Sequence, residues 1–145
     1  MTLRMDYKKE YPEALHAMLQ FEQFVKGSGI DPTLLELIKL RASQINGCAY
    51  CLDLHSKDAR AQGETEQRIY LLNAWREAPY YTNAERAVLA LTEAITLISE
   101  SGVSLDVYDE ARIHFDGKQF MAILMAINAI NCWNRIAIST GMMPD

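Results

Sequence analysis

The chain predicts an all-α fold in one domain spanning residues 1–145, and three observations carry that reading. Of 145 residues, 17 are Ala and 16 Leu against 4 Val; Ala and Leu are strong helix formers, whereas Val favours strands. Only 7 Gly and 4 Pro punctuate the chain, below the usual share of these breakers. Between the breaks, apolar residues recur at helical spacing.

The elements follow from their start and stop residues. From Pro12 to Lys26 the stripe Leu15, Met18, Leu19, Phe21 and Val25 ends at Gly27-Ser28-Gly29, with Pro12 suited to a first turn. Asp31-Pro32 opens the next helix: Asp31 can accept from free N–H groups, Pro32 presets φ, and Leu34, Leu37, Ile38, Arg41 and Ile45 follow. Asn46-Gly47 breaks it. Cys48 to Ala61 contains neither Pro nor Gly and closes at Gln62-Gly63. A brief helix around Glu66–Ala74 precedes the Ala78-Pro79 break. Thr82-Asn83-Ala84-Glu85 has the form of a capping box, opening a helix to about Ser99. Gly102 punctuates, Ser104–Phe115 forms another helix, and Asp116-Gly117 precedes an apolar helix from Phe120 to Ser139. Because Phe120–Ile130 is apolar nearly all round, that helix is expected at the centre or in a subunit interface.

Composition excludes some functions. With 14 basic and 19 acidic residues the formal charge is −5, so nothing draws the chain to polyanionic nucleic acid. The apolar run Phe120–Ile127 is followed by Asn128, Asn131 and Asn134, which predicts a buried helix rather than a membrane span. The first residues hold no apolar run of the signal-peptide type before Lys8-Lys9-Glu10, and the protein is expected in the cytoplasm. Three cysteines are too few for a disulfide framework; in a reducing compartment a close pair points to redox or metal chemistry.

That pair is Cys48-Ala49-Tyr50-Cys51, followed by His55. Residues at i and i+3 share a helix face, so a modest adjustment permits a disulfide, and His55 lies one turn beyond Cys51 with an imidazole that exchanges protons near neutrality. Following the Asn46-Gly47 break, Cys48 falls in the first turn of its helix, where free N–H groups favour thiolate. A structural zinc site would require a second Cys/His pair, which the sequence lacks. There is no Gly-rich phosphate loop or dinucleotide fingerprint, so neither an organic cofactor nor a metal is expected.

The run Glu36-Leu37-Ile38-Lys39-Leu40-Arg41-Ala42-Ser43-Gln44-Ile45-Asn46-Gly47-Cys48-Ala49-Tyr50-Cys51, then His55, resembles the active-site segment of the AhpD-like alkylhydroperoxidases in the carboxymuconolactone decarboxylase-like superfamily. Similarity extends through Ala74-Trp75-Arg76-Glu77 and Thr92-Glu93-Ala94, and again at Asn131-Cys132-Trp133-Asn134-Arg135. The resemblance implies a proton relay of Glu36, Cys48, Cys51 and His55, with Cys51 attacking the peroxide and Cys48 resolving. The helix dipole favours Cys48 instead, but His55 is one turn from Cys51 and two from Cys48. In familiar members a His precedes the second cysteine; here Tyr50 stands there, a poor proton shuttle at neutral pH.

The implied function is a thiol-dependent alkylhydroperoxidase. Its substrate would be a hydroperoxide, its reductant a lipoyl-bearing or thioredoxin-like dithiol protein, and its assembly a homo-oligomer, trimeric or hexameric. Two alternatives remain: a dithiol switch without rapid turnover, and a decarboxylase-like enzyme that does not use its thiols. Read without the resemblance, Glu36 is a solvated carboxylate paired with Lys39 or Arg41, and His55 an exposed residue beside Asp53, Lys57 and Asp58. Cys132 reads as an inert core thiol. Trp75, Trp133 and the methionines read as core or interface, while Asn131, Asn134 and Arg135 need polar partners.

Overall fold

The start and stop residues become helix ends close to where they stand. In a computed structural model describing residues 2–145, the chain forms α1 (Tyr7–Glu10), α2 (Pro12–Lys26), α3 (Pro32–Asn46), α4 (Ala49–Ala61) and α5 (Glu66–Tyr70). A 3₁₀ turn (Leu72–Ala74) follows, then α6 (Asn83–Thr96), α7 (Ile98–Ser101), α8 (Leu105–His114) and α9 (Gly117–Thr140). Asp31 caps α3 by accepting from the N–H groups of Thr33 and Leu34 at 2.9 and 3.2 Å. Thr82 and Glu85 close the expected capping box on α6.

Four boundaries differ from expectation. The Glu66–Ala74 helix divides at Leu71 into α5 and the 3₁₀ turn. The Thr82-capped helix ends at Thr96, and the chain re-forms one short turn as α7. The last helix starts three residues before its apolar run, because Asp116 and Gln119 form a second capping box. The four-residue α1 has no apolar periodicity and no side-chain cap, so nothing local announces it.

Helices α3 and α9 make the centre, with α4, α6 and α2 laid against them. Every residue of α3 from Leu34 to Leu40 is buried, the charged Glu36 and Lys39 included. The inner face of α9 presents Ile123, Ile127 and Ile130 between Ala122, Ala126 and Ala129, a small-residue surface that lets it approach α3 closely. Fully burying each such aliphatic side chain stabilises the fold by about 1.5–3 kcal/mol. By length and composition α9 could cross a membrane, yet in this fold one face is core and the other exposes Met121 and Ile138. Burial is therefore one-sided rather than all round.

Asn131 and Asn134 of α9 find their partners within the chain. Asn46 Nδ2 donates to both Asn131 Oδ1 and Asn134 Oδ1 at 2.9 Å, and Asn134 donates to Ser43 Oγ at 3.0 Å. Asn131 also donates to Thr96 Oγ1 at 3.0 Å, so α3, α6 and α9 are tied by one buried network. Arg135 stays exposed.

Two glycines shape the approach to the site. Gly47 has φ of 70°, a left-handed conformation that ends α3 and turns the chain straight into α4. Gly141 has φ of 76° after α9, and a Cβ there would lie 2.7 Å from the Thr2 carbonyl oxygen. The N-terminal segment crosses at this point, with Arg4 N–H donating to Thr140 O at 2.8 Å. Tyr7 and Lys8 of α1 line the same cavity as Tyr50 at the start of α4. On α2 only Val25 is fully buried, while Leu15 and Leu19 of the expected stripe face a cavity instead.

Candidate active site

The site is built where α4 begins. Cys48 is the N-cap, one position outside the helix rather than within its first turn, and its Sγ accepts from Cys51 N–H at 3.4 Å. Sulfur at an N-cap faces the free N–H groups and the positive end of the helix, which favours thiolate at this position. The two cysteines are joined by a disulfide with Cα atoms 5.3 Å apart. Both are buried, yet only Cys51 lines the open cavity of about 500 Å³ to which α1, α2, α3, α4 and α9 contribute side chains. Cys48 is packed behind it against Ala137, with Tyr50 and Met142 alongside.

His55 and Glu36 line the same cavity. His55 Nδ1 and Glu36 Oε2 approach to 3.3 Å, but off the line of a hydrogen bond, and neither of these buried atoms has a hydrogen-bond partner. Glu36 is only 5% exposed and His55 9%, so neither is the solvated surface residue that local spacing alone allowed. Arg41 pairs with Glu93 at 2.9 Å, and Lys57 with Asp53 at 2.7 Å, neither with Glu36 or His55. All four expected site residues thus converge, with Cys48 one layer back.

Further residues of the site escaped sequence reasoning. Lys39 is buried, its Nζ 2.8 Å from Glu22 Oε1 and 3.7 Å from Glu36 Oε1. Glu22, from α2, also accepts from Trp133 Nε1 of α9 at 3.2 Å. Burial alone would push the Glu22 carboxyl up, but the Lys39 hydrogen bond and charge, with the Trp133 donor, outweigh it and hold Glu22 below the ordinary glutamate value. The Glu36–Lys39 spacing of one turn was a visible signal; Glu22 and Trp133 lie far away in sequence and gave none.

Asp58 Oδ2 stands 3.8 Å from His55 Nδ1. Donor atoms of Glu36, His55 and Asp58 all lie within 4.8 Å of one another, the only such group of metal-ligating side chains among the described residues. Tyr50 and Tyr7 both line the cavity, and the Tyr7 phenol is pushed up by burial and, less, by the neighbouring Tyr50. Leu15, Leu19, Leu54 and Met142 make the walls apolar. The remaining candidates stand apart: His16 is exposed, His114 lies 3.4 Å from Glu110, and Cys132 is a half-buried free thiol. Trp75 is core, its Nε1 donating to Glu93 at 2.7 Å, whereas Trp133 reaches the site.

A cysteine pair at the head of a helix, backed by a buried carboxylate and imidazole within an all-α shell, defines an AhpD-like scaffold. Residues 12–94 match the profile of the carboxymuconolactone decarboxylase family, and the chain belongs to that family. It is 47% identical over 141 residues to the uncharacterized protein YdfG of Bacillus subtilis, a match covering 97% of this chain and 96% of that one. A crystal structure of Atu0492 from Agrobacterium tumefaciens, a protein of unknown function named as a candidate antioxidant defence protein AhpD, superposes with a TM-score of 0.97. Its identity is 44%, over 99% of each chain. The debrominase Bmp8 shares the fold, with a TM-score of 0.85 at 20% identity over 94% of this chain and 74% of that one.

Proposed function

We propose that the protein is a thiol peroxidase reducing hydroperoxides through a Cys48–Cys51 dithiol–disulfide cycle. The observation that carries the reading is that Cys51, and not Cys48, opens on the cavity shared with Glu36 and His55. Glu36, through His55 or a water, takes the proton from Cys51. The thiolate attacks the terminal oxygen of the hydroperoxide; the O–O bond breaks, the alkoxide leaves as an alcohol after gaining a proton, and Cys51 becomes a sulfenic acid. The Cys48 thiolate then attacks the Cys51 sulfur, the sulfenic oxygen departs as water, and the disulfide closes. A lipoyl-bearing or thioredoxin-like dithiol protein supplies two electrons and two protons to reopen it.

The apolar walls suit an organic hydroperoxide, with Leu15, Leu19 and Leu54 against its alkyl or aryl group. A homo-oligomer, trimeric or hexameric, belongs to the proposal: Leu105 and Ile113 on α8 and Phe24 on α2 are exposed apolar side chains that further copies would cover. A cytoplasmic location accords with a cycle that depends on reduced dithiols.

The test is steady-state consumption of cumene hydroperoxide with dihydrolipoamide as reductant. Cys51→Ser should consume no peroxide, while Cys48→Ser should form sulfenic acid once and stop. Full turnover by Cys51→Ser would remove Cys51 as nucleophile, and turnover by the double variant would move the chemistry to a thiol-independent enzyme.

A further inference from the structure

Glu36 and His55 carry a second capacity. Their facing atoms, Glu36 Oε2 and His55 Nδ1, are buried and make no hydrogen bond. Leaving two polar atoms unsatisfied in the interior costs stability, so such atoms are commonly matched to a ligand or an ion. Asp58 Oδ2 joins them from the next turn of α4, and the three donors lie within 4.8 Å of one another. We propose that Glu36, His55 and Asp58 form a zinc-binding site at the cavity floor, through which Zn²⁺ reversibly blocks the redox centre.

The geometry suits that ion. Around tetrahedral zinc with N and O ligands at about 2.0–2.1 Å, neighbouring donors lie about 3.3 Å apart. Glu36 and His55 already stand at 3.3 Å. Asp58 stands at 3.8 Å from His55 with a half-exposed side chain, free to swing inward. The cavity provides an entry path, and the fourth position is left for water.

Charge is balanced as well. The Lys39 ammonium faces the other Glu36 oxygen, Oε1, at 3.7 Å, while its closer partner is Glu22 at 2.8 Å. With Lys39 matched by Glu22, the carboxylates of Glu36 and Asp58 remain to neutralise a divalent cation beside a neutral imidazole. One nitrogen and two oxygen donors fit zinc; Mg²⁺ and Ca²⁺ are hard cations that prefer an all-oxygen shell and gain little from the imidazole.

Zinc bound here would occupy the two atoms through which the relay moves its proton. The blocking effect rests on the peroxidase reading, whereas the binding does not. The experiment is therefore equilibrium dialysis of the full chain in its disulfide form, whose cysteines cannot ligate, against micromolar zinc chloride with elemental counting. About one zinc per chain should be retained, with no magnesium under the same conditions. Asp58→Asn and Glu36→Gln should each weaken binding about tenfold or more. In the reduced protein zinc should slow peroxide consumption, and Asp58→Asn, measured against its own metal-free rate, should need correspondingly more zinc for the same fractional loss. No retained zinc, or equal retention by both variants, would overturn the site. Zinc retained as expected by a chain that consumes no peroxide when metal-free would uphold the site and sink the peroxidase reading.

Discussion

Glu36 Oε2 on α3 and His55 Nδ1 on α4 stand 3.3 Å apart inside the protein, each with no hydrogen-bond partner. A carboxylate held this close to an imidazole needs only a small shift to share a proton with it, and apo-state catalytic contacts often tighten when substrate binds. Removing the carboxylate while keeping its shape tests the relay. Glu36→Gln is expected to slow oxidation of Cys51 by about 10²–10⁴-fold, measured by stopped flow on protein whose far-ultraviolet circular dichroism is unchanged. An unaltered rate would take Glu36 out of the relay.

Lys39 and Glu22 form a buried pair at 2.8 Å, their side chains 6% and 15% exposed. Breaking such a pair from one side leaves an unmatched charge and costs about 3–5 kcal/mol, whereas replacing both partners can be nearly neutral. Lys39→Met should therefore lower the urea midpoint strongly, and Lys39→Met with Glu22→Gln should recover most of the loss. Additive losses in the double variant would show that the pair is not coupled.

Acid stability follows from Glu22 and Glu93. Burial pushes both carboxyls up, but Lys39 and Trp133 at Glu22, and Trp75, Arg76 and Arg41 at Glu93, win and hold both below the ordinary value of 4.5. In that window the unfolded chain binds more protons than the native one, so stability rises with pH. The contribution is complete above about 4.5 and fades as pH falls through the lower native values. Urea unfolding across this range should show the slope, and Glu93→Gln should flatten it; a slope unchanged in that variant would deny Glu93 its part.

The asparagine network gives a structural counterpart. Asn134→Ala leaves Asn46 with one fewer acceptor and Ser43 Oγ without its Asn134 donor in a buried interface. A loss of about 1–3 kcal/mol is expected, read from denaturant unfolding; a change within a few tenths would mean that water replaces Asn134 at no net loss.

Much of the fold was legible because helix ends are written locally. Pro12, Asp31-Pro32, Asn46-Gly47, Thr82 with Glu85, and Ser104 each mark a boundary through a group one to three residues away. The Asp116–Gln119 capping box is equally local, and it starts α9 three residues ahead of the apolar run that opens at Phe120. The α5 break at Leu71 and the end of α6 at Thr96 carry no Gly, Pro or side-chain cap that would mark them in the sequence. The same division runs through the site. Cys48, Cys51 and His55 share one short segment, and Glu36 came from the family resemblance. Lys39 has a single local sign, its turn spacing from Glu36, while Glu22 and Trp133 join the site only because α2 and α9 close over α3. Burial of Glu36 and of Lys39 on the all-buried α3 is likewise a product of packing from several sides.

Cys51 faces the cavity beside His55 and Glu36, and the proposed cycle has it oxidised by a hydroperoxide and resolved by Cys48. Stopped-flow mixing of the fully reduced protein with cumene hydroperoxide, with the products mapped by mass spectrometry, tests it most directly. Rapid loss of both thiols of the pair is expected, with one peroxide consumed per chain and a Cys48–Cys51 disulfide formed while Cys132 stays reduced. Slow oxidation no faster than that of a free thiol, or oxidation first at Cys132, would contradict it.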